Sequence, residues 1–284
     1  MKDERPFVAV ELRPPRLELS GTAGMDAWID TYHSVRKLTL SGRFVIMTDR
    51  AVGRAEEENL RHMVVNLGPD VEKPLIIKFL TSKHSLEYCL SFPGRVLEHG
   101  FGSLVVLGGD RHDGVPRCVE HACELRRRIR EKHPCLTLGG WANPLRDPRQ
   151  QVEYVADEGF CADFYLTQVV SHYNLGPVEE FLEAARRRGV TIPGVFGVFY
   201  YRSANPRTLK NLSRFLPVPA RELTRDFNDE GLDADTICAR SIQALRDLGV
   251  KNFYFSNLET STAVRRLASI LARVPAAGQI SGKT

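Results

Sequence analysis

The sequence predicts a single-domain α/β protein folded as a closed (β/α)8 TIM barrel. Eight short β-rich runs are each followed by at least one stretch of helical periodicity, an alternation that requires parallel strands joined by helical crossovers. The 284 residues suit one barrel core, because α/β barrels reach this size without dividing. No compositional shift marks a linker, so the barrel is expected over 1–274, with 275–284 as a small polar, flexible tail.

The elements follow in order. After a charged lead-in, Phe7–Leu12 is the first strand, and Arg13-Pro14-Pro15 ends it because consecutive prolines cannot continue a ladder. Met25, Trp28, Ile29, Tyr32 and Val35 then recur at helical spacing. Phe44–Thr48 is the second strand, and Glu56–Leu67 its helix, with glutamates in the first turn and Leu60, Met63, Val64 and Leu67 on one side. The third strand, Leu75–Thr81, leads to a helix over Ser85–Glu98 that Gly100 and Gly102 terminate.

The stretch Ser103–Asp110 (SLVVLGGD) reads as a buried strand that ends in two glycines and an acid. A helix is expected over Val115–Lys132, then a fifth strand at Leu136–Trp141, a helix at Arg149–Glu158 and a sixth strand at Ala162–Val170. Pro177–Arg188 is amphipathic, with Phe181, Leu182 and Ala185 inward. Gly194–Tyr200 is the seventh strand, followed by helices at Pro206–Leu216 and Asp233–Leu248, and Asn252–Ser256 is the eighth, followed by Ser261–Val274.

Composition excludes several classes. The net charge of +4 arises from 39 basic and 35 acidic residues spread along the chain. The one dense basic run, Arg126 to Lys132, is expected as a solvated helix end, so no nucleic-acid partner is predicted. The six cysteines form no C-x-x-C pair and no zinc spacing, so no metal site is predicted. No run is long and apolar enough for a membrane span, and no secretory h-region opens the chain, so a reduced, cytoplasmic protein is expected. Oligomeric state is not legible.

In a parallel barrel all strand C-termini open on one mouth, which would gather Glu11, Asp110 and Gln168. Glu11 shares a strand face with Phe7 and Ala9; if that face looks inward, its carboxyl is partly desolvated, as suits a proton donor near neutral pH. A salt bridge to a neighbouring strand, for instance to Lys78, is an equal alternative, and Asp110 could equally cap a helix. Lys78 as a Schiff-base lysine is a weaker reading. Gly108 and Gly109 would let the backbone turn sharply or approach a ligand closely. His84, His112 and His172 are expected as solvated loop residues. Trp141, Phe199, Tyr200 and Tyr201, near strand exits, could sandwich a planar ligand.

Five segments resemble the catalytic barrel of the methylenetetrahydrofolate reductase family in order and spacing. Val10–Pro15 is similar to F-E-F-x-P-P, Gly100–Asp110 to the segment ending A-L-R-G-D, and Ala162–Gln168 to A-D-F-x-I-T-Q. Ile192–Val198 and Gly249–Leu258 are similar to P-I-x-x-G-I and G-V-x-x-F-H-F-Y-T-L-N. The resemblance implies that Glu11 is a general acid for opening the imidazolidine ring of methylenetetrahydrofolate and that Asp110 and Gln168 hydrogen-bond the pterin. It further implies Asp110 as a catalytic partner of the cationic intermediate, Thr81, Trp141, Phe199 and Tyr200 around the substrate, Thr48, Gly108 and Gly109 near the cofactor, and NADH or NADPH as co-substrate.

The chain also departs from the family where flavin is held. Lys78-Phe79-Leu80-Thr81 stands in place of A-H-L-T, Gly108 in place of an arginine, Gly139–Asn143 in place of A-x-Y-P-E, and Val155 in place of a lysine. The expectation is therefore a reductase making 5-methyltetrahydrofolate by direct hydride transfer, with FAD or FMN bound weakly or not at all. A pterin-dependent methyltransferase barrel and a non-catalytic folate-binding protein are the alternatives.

Overall fold

The strands close in the order β1 (Val8–Leu12), β2 (Phe44–Met47), β3 (Ile76–Thr81), β4 (Ser103–Leu107), β5 (Thr137–Ala142), β6 (Phe164–Val169), β7 (Gly194–Phe199) and β8 (Phe253–Ser256), and β8 pairs back to β1. Every pairing is parallel. The computed structural model describes residues 6–15, 19, 21–48, 56–109 and 114–275. The connecting helices are α1 (Gly21–Leu40), α2 (Glu56–Asn66), α3 (Leu86–Glu98), α4 (Ala122–Lys132), α5 (Pro148–Ala156) and α6 (Leu175–Arg188). After β7 come α7 (Pro206–Leu212), α8 (Ala220–Thr224) and α9 (Ala234–Asp247), and α10 (Ala263–Ala272) follows β8.

Strand alternation divides the core into two layers, as a period of two demands. Val8, Val10, Leu12, Val45, Ile76, Leu104 and Phe255 point outward and pack under the helices. Ala9, Ile46, Ile77, Val105, Leu166, Val195 and Tyr254 fill the interior. Two interior positions are glycines because rings need the space. A Cβ at Gly139 would come within 2.6 Å of Phe164 Cζ, and one at Gly197 within 2.4 Å of Tyr254 Cζ.

Some expected elements differ. The helix foreseen from Val115 starts only at Ala122. Upstream of it, the Cys118 N–H donates to the Ser82 carbonyl, which holds the segment against the β3 exit, and the Glu124 carboxylate accepts from the His121 N–H at the true helix start. In α1 the buried residues are Thr31, Ser34, Val35, Leu38 and Thr39, whereas Met25 and Ile29 face solvent. The basic run is also not uniformly solvated. Arg126 is buried, donates to the carbonyls of Phe160 (2.8 Å) and Val106 (3.1 Å), and lies over the Phe160 ring. Burial lowers its pKa to about 10.

Candidate functional site

The strand C-termini form one mouth, the end at which barrels carry their chemistry. At β1, Glu11 continues the inward face of Phe7 and Ala9, and it is partly buried. The first residue beyond β2, Thr48, donates from its hydroxyl to Glu11 Oε1 at 3.0 Å, and its N–H donates to the Leu12 carbonyl. Two residues expected in different roles, general acid and cofactor contact, are thus brought together. Lys78 is no partner for Glu11. It shares the outward face of Ile76 and Leu80, and its Nζ lies 3.1 Å from Met63 Sδ on α2, which also removes the Schiff-base reading.

Beneath the mouth, Tyr254 reaches from β8 across Gly197 and donates to the Thr167 carbonyl of β6 at 2.6 Å. Burial raises its pKa well above the ordinary phenol value, so the hydroxyl stays protonated. Tyr254 is not among the residues expected at the mouth. The alternation of Phe253-Tyr254-Phe255-Ser256, set against a glycine on the inward face of β7, was the signal for it.

Gln168 sits in an irregularity of β6, where the β6–β7 register shifts between Leu166 and Val169. Such bulges re-aim side chains beside active sites. The Gln168 side-chain carbonyl accepts from the Val169 N–H at 2.9 Å, so the group it can offer a ligand is its NH2. Thr81 closes β3 on the inward face of Ile77 and Phe79 and is nearly buried. Trp141, at the end of β5, is 37% exposed, an open aromatic surface at the mouth.

Two expected contacts are corrected. Tyr200 points outward, into the layer beneath the helices, where its hydroxyl donates to Asp235 of α9 at 2.8 Å. Phe199 is buried with Tyr201, Leu209 and Leu223, because the helical excursion after β7 folds over this strand end and covers the rings. Neither offers a free face to a planar ligand. At the β4 exit the chain's own side chains lie against the glycine pair. A Cβ at Gly108 would lie 2.8 Å from Arg117 Cζ and one at Gly109 would lie 2.6 Å from Lys83 Cε. The Gly108 carbonyl accepts from Ser82 Oγ and the Gly109 carbonyl from Arg117 Nη2. Asp110 and His112 lie outside the described residues.

Of the other loop histidines, His84 stacks near Tyr88, with ring centroids 4.4 Å apart. His172 is half-buried, with Nδ1 2.8 Å from Ser241 Oγ and Nε2 3.8 Å from Asp226 Oδ2. Asp226 also accepts from the Tyr173 hydroxyl at 2.6 Å and lies near Arg225 and Arg240. Burial outweighs the attraction of Asp226 and holds the His172 pKa below its ordinary value.

Among the described residues no group of three His, Cys, Asp or Glu is arranged to hold a metal ion, and no helix is long and apolar enough to cross a membrane. A cleft of about 270 Å³ between Val155–Ala162 and Arg188–Ile192 opens at the N-terminal ends of β6 and β7. It lies at the opposite end of the barrel from Glu11, on the face that serves stability rather than chemistry.

No protein-family model matches the chain, and no curated protein matches its sequence. Among solved structures the barrel is similar to an uncharacterized protein from Clostridium thermocellum that binds two copies of 5-methyl-5,6,7,8-tetrahydrofolic acid (TM-score 0.69, 15% identity, 95% of each chain covered). It is also similar to an F420-dependent secondary alcohol dehydrogenase in complex with an F420-acetone adduct (TM-score 0.55, 11% identity, 96% of this chain and 100% of the other covered). These likenesses establish the fold: a single closed barrel of eight parallel strands with alternating helices.

Proposed function

We propose that this chain is an oxidoreductase that reduces 5,10-methylenetetrahydrofolate to 5-methyltetrahydrofolate with NADH or NADPH, passing hydride directly without a bound flavin. The observation that carries the reading is the Glu11 carboxylate, set on the interior face at the mouth and oriented by Thr48. Glu11 gives its proton to the ring nitrogen that leaves as the imidazolidine opens, and the remaining nitrogen and methylene carbon become an iminium cation. The deprotonated carboxylate then faces that positive charge and stabilises it. Hydride from the dihydronicotinamide adds to the methylene carbon and completes the methyl group.

The Gln168 amide and the Trp141 ring are assigned to the pterin, and Asp110 to a second carboxylate contact. A solved barrel described as binding 5-methyltetrahydrofolic acid supports a folate ligand, and the resemblance of the strand-end motifs supports the reaction. The case against flavin rests on the departures at β3 and β5. Phe79 stands at the histidine of A-H-L-T, and Trp141 and Asn143 stand at the tyrosine and the glutamate of A-x-Y-P-E. The departure at Gly108 carries less weight, because Arg117 brings a guanidinium to that position.

The test is an absorbance spectrum of the purified protein followed by NADH and NADPH oxidation with methylenetetrahydrofolate. Turnover without flavin absorbance is expected. Stoichiometric flavin on which turnover depends would refute the direct transfer, and folate binding without turnover would leave the binding-protein alternative.

A further inference from the structure

Two cations of the mouth are built onto the glycine pair at the end of β4. Cζ, Nη1 and Nη2 of Arg117 all stand 2.8 to 3.0 Å from where a Cβ at residue 108 would be, so the guanidinium lies broadside over Gly108. Cε, Cδ and Cγ of Lys83 stand 2.6 to 3.0 Å from the Cβ position of Gly109, whose φ of 76° already favours glycine. Arg117 comes from the segment before α4 and Lys83 from the turn after β3, and both reach this spot only because residues 108 and 109 carry no side chains. Arg117 is half-exposed and spends one N–H on the Gly109 carbonyl, and among the described residues no carboxylate pairs with it. Its remaining donors form the planar fork that matches carboxylate or phosphate oxygens.

The β4 exit is three strands from Glu11. At the usual strand spacing this is roughly 14 Å along the barrel wall, too far for a group bound there to react at Glu11. It suits the anionic end of a ligand whose ring spans the mouth between Glu11 and the β4 exit. We infer that Arg117 forms an oxyanion subsite that anchors the phosphate or carboxylate end of a mouth ligand. On the reading above, the two sources are the pyrophosphate of the dinucleotide and the glutamate of the folate.

Calorimetry on the full chain tests this with wild type and Arg117→Gln, which keeps a donor for the Gly109 carbonyl but loses the charge. Circular dichroism of both proteins checks that the fold is retained. NADH is compared with reduced nicotinamide riboside, which has no phosphate, and 5-methyltetrahydrofolate with 6-methyltetrahydropterin, which has no carboxylate. The expected result is an affinity loss of tenfold or more for one anion-bearing ligand and no change for its anion-free counterpart. Loss with NADH identifies phosphate and loss with the folate identifies carboxylate. An equal effect on both forms, or on neither, overturns the subsite. If neither full ligand binds wild type, the folate reading fails by itself. Inorganic pyrophosphate then decides: binding weakened tenfold or more by the substitution upholds the subsite, and unchanged or absent binding overturns it.

Discussion

Thr48 and Glu11 share a hydrogen bond of 3.0 Å that joins the end of β2 to the end of β1. The threonine therefore acts on the carboxylate as a positioning residue. General acid catalysis typically contributes about 10²- to 10⁴-fold, so Glu11→Gln should lower kcat by that order and leave folate affinity nearly intact. Thr48→Val should lower kcat about tenfold with little change in KM, and Thr48→Ser should restore it. Steady-state kinetics of NADH oxidation separate these outcomes, and a Glu11→Gln enzyme with normal kcat would remove the proposed acid.

The bond from Tyr254 to the Thr167 carbonyl crosses the interior through the gap left by Gly197. Tyr254→Phe removes this buried bond and should cost about 1–2 kcal/mol. Gly197→Ala drives a methyl into the ring and should cost about 1–3 kcal/mol. Joining Gly197→Ala to Tyr254→Leu should be milder than the sum of the two single changes, since both act on one space. Denaturant unfolding of wild type, Gly197→Ala, Tyr254→Leu and the double variant measures the coupling, and strict additivity would contradict the packing described.

Arg126 supplies donors to two buried carbonyls from different elements. Arg126→Met keeps most of the stem and strips both donors, for a loss of roughly 2–4 kcal/mol. By contrast, the exposed neighbours Arg127 and Arg128 should tolerate replacement by glutamine within about 0.5 kcal/mol. Thermal melts of the three variants would show whether this contrast holds.

His172 makes stability depend on pH with a definite sign. Its folded pKa is depressed by burial, offset in part by Asp226 and reinforced by Arg240 and Arg225. Below the unfolded value of about 6.5 the unfolded chain binds the proton more readily, so this contribution is intact above that pH. It declines as pH falls toward the folded pKa. His172→Gln should flatten the acid side of a stability profile recorded by denaturant titration, and an unchanged slope would assign the loss to other groups.

Strand parity was readable wherever residues alternate cleanly, and Phe7, Ala9 and Glu11 are the example. Lys78 shows where parity stops: its own strand places it outward, yet pairing it with Glu11 needed the relation between two strands, which hydrophobic pattern alone does not supply. Tyr200 and Phe199 stand at a strand exit as expected, but the excursion through α7, α8 and α9 covers them, a tertiary event without local trace. Arg117 was hidden for a different reason. It falls within the helix expected from Val115, whereas the bond from the adjacent Cys118 N–H to the Ser82 carbonyl holds that segment against the β3 exit, outside the helix. Arg126 looked like one more surface cation because charge runs carry no mark of which member turns inward.

The ring at position 254 and the empty position at 197 are two halves of one inherited trait. Position 197 cannot drift first: a side chain there is admissible only in a lineage that has already surrendered the ring, and a smaller residue at 254 leaves a hollow under Glu11 until 197 grows to fill it. Across relatives of this chain the two positions should therefore change together, ring with glycine or small with large, and the order of change should always begin at 254.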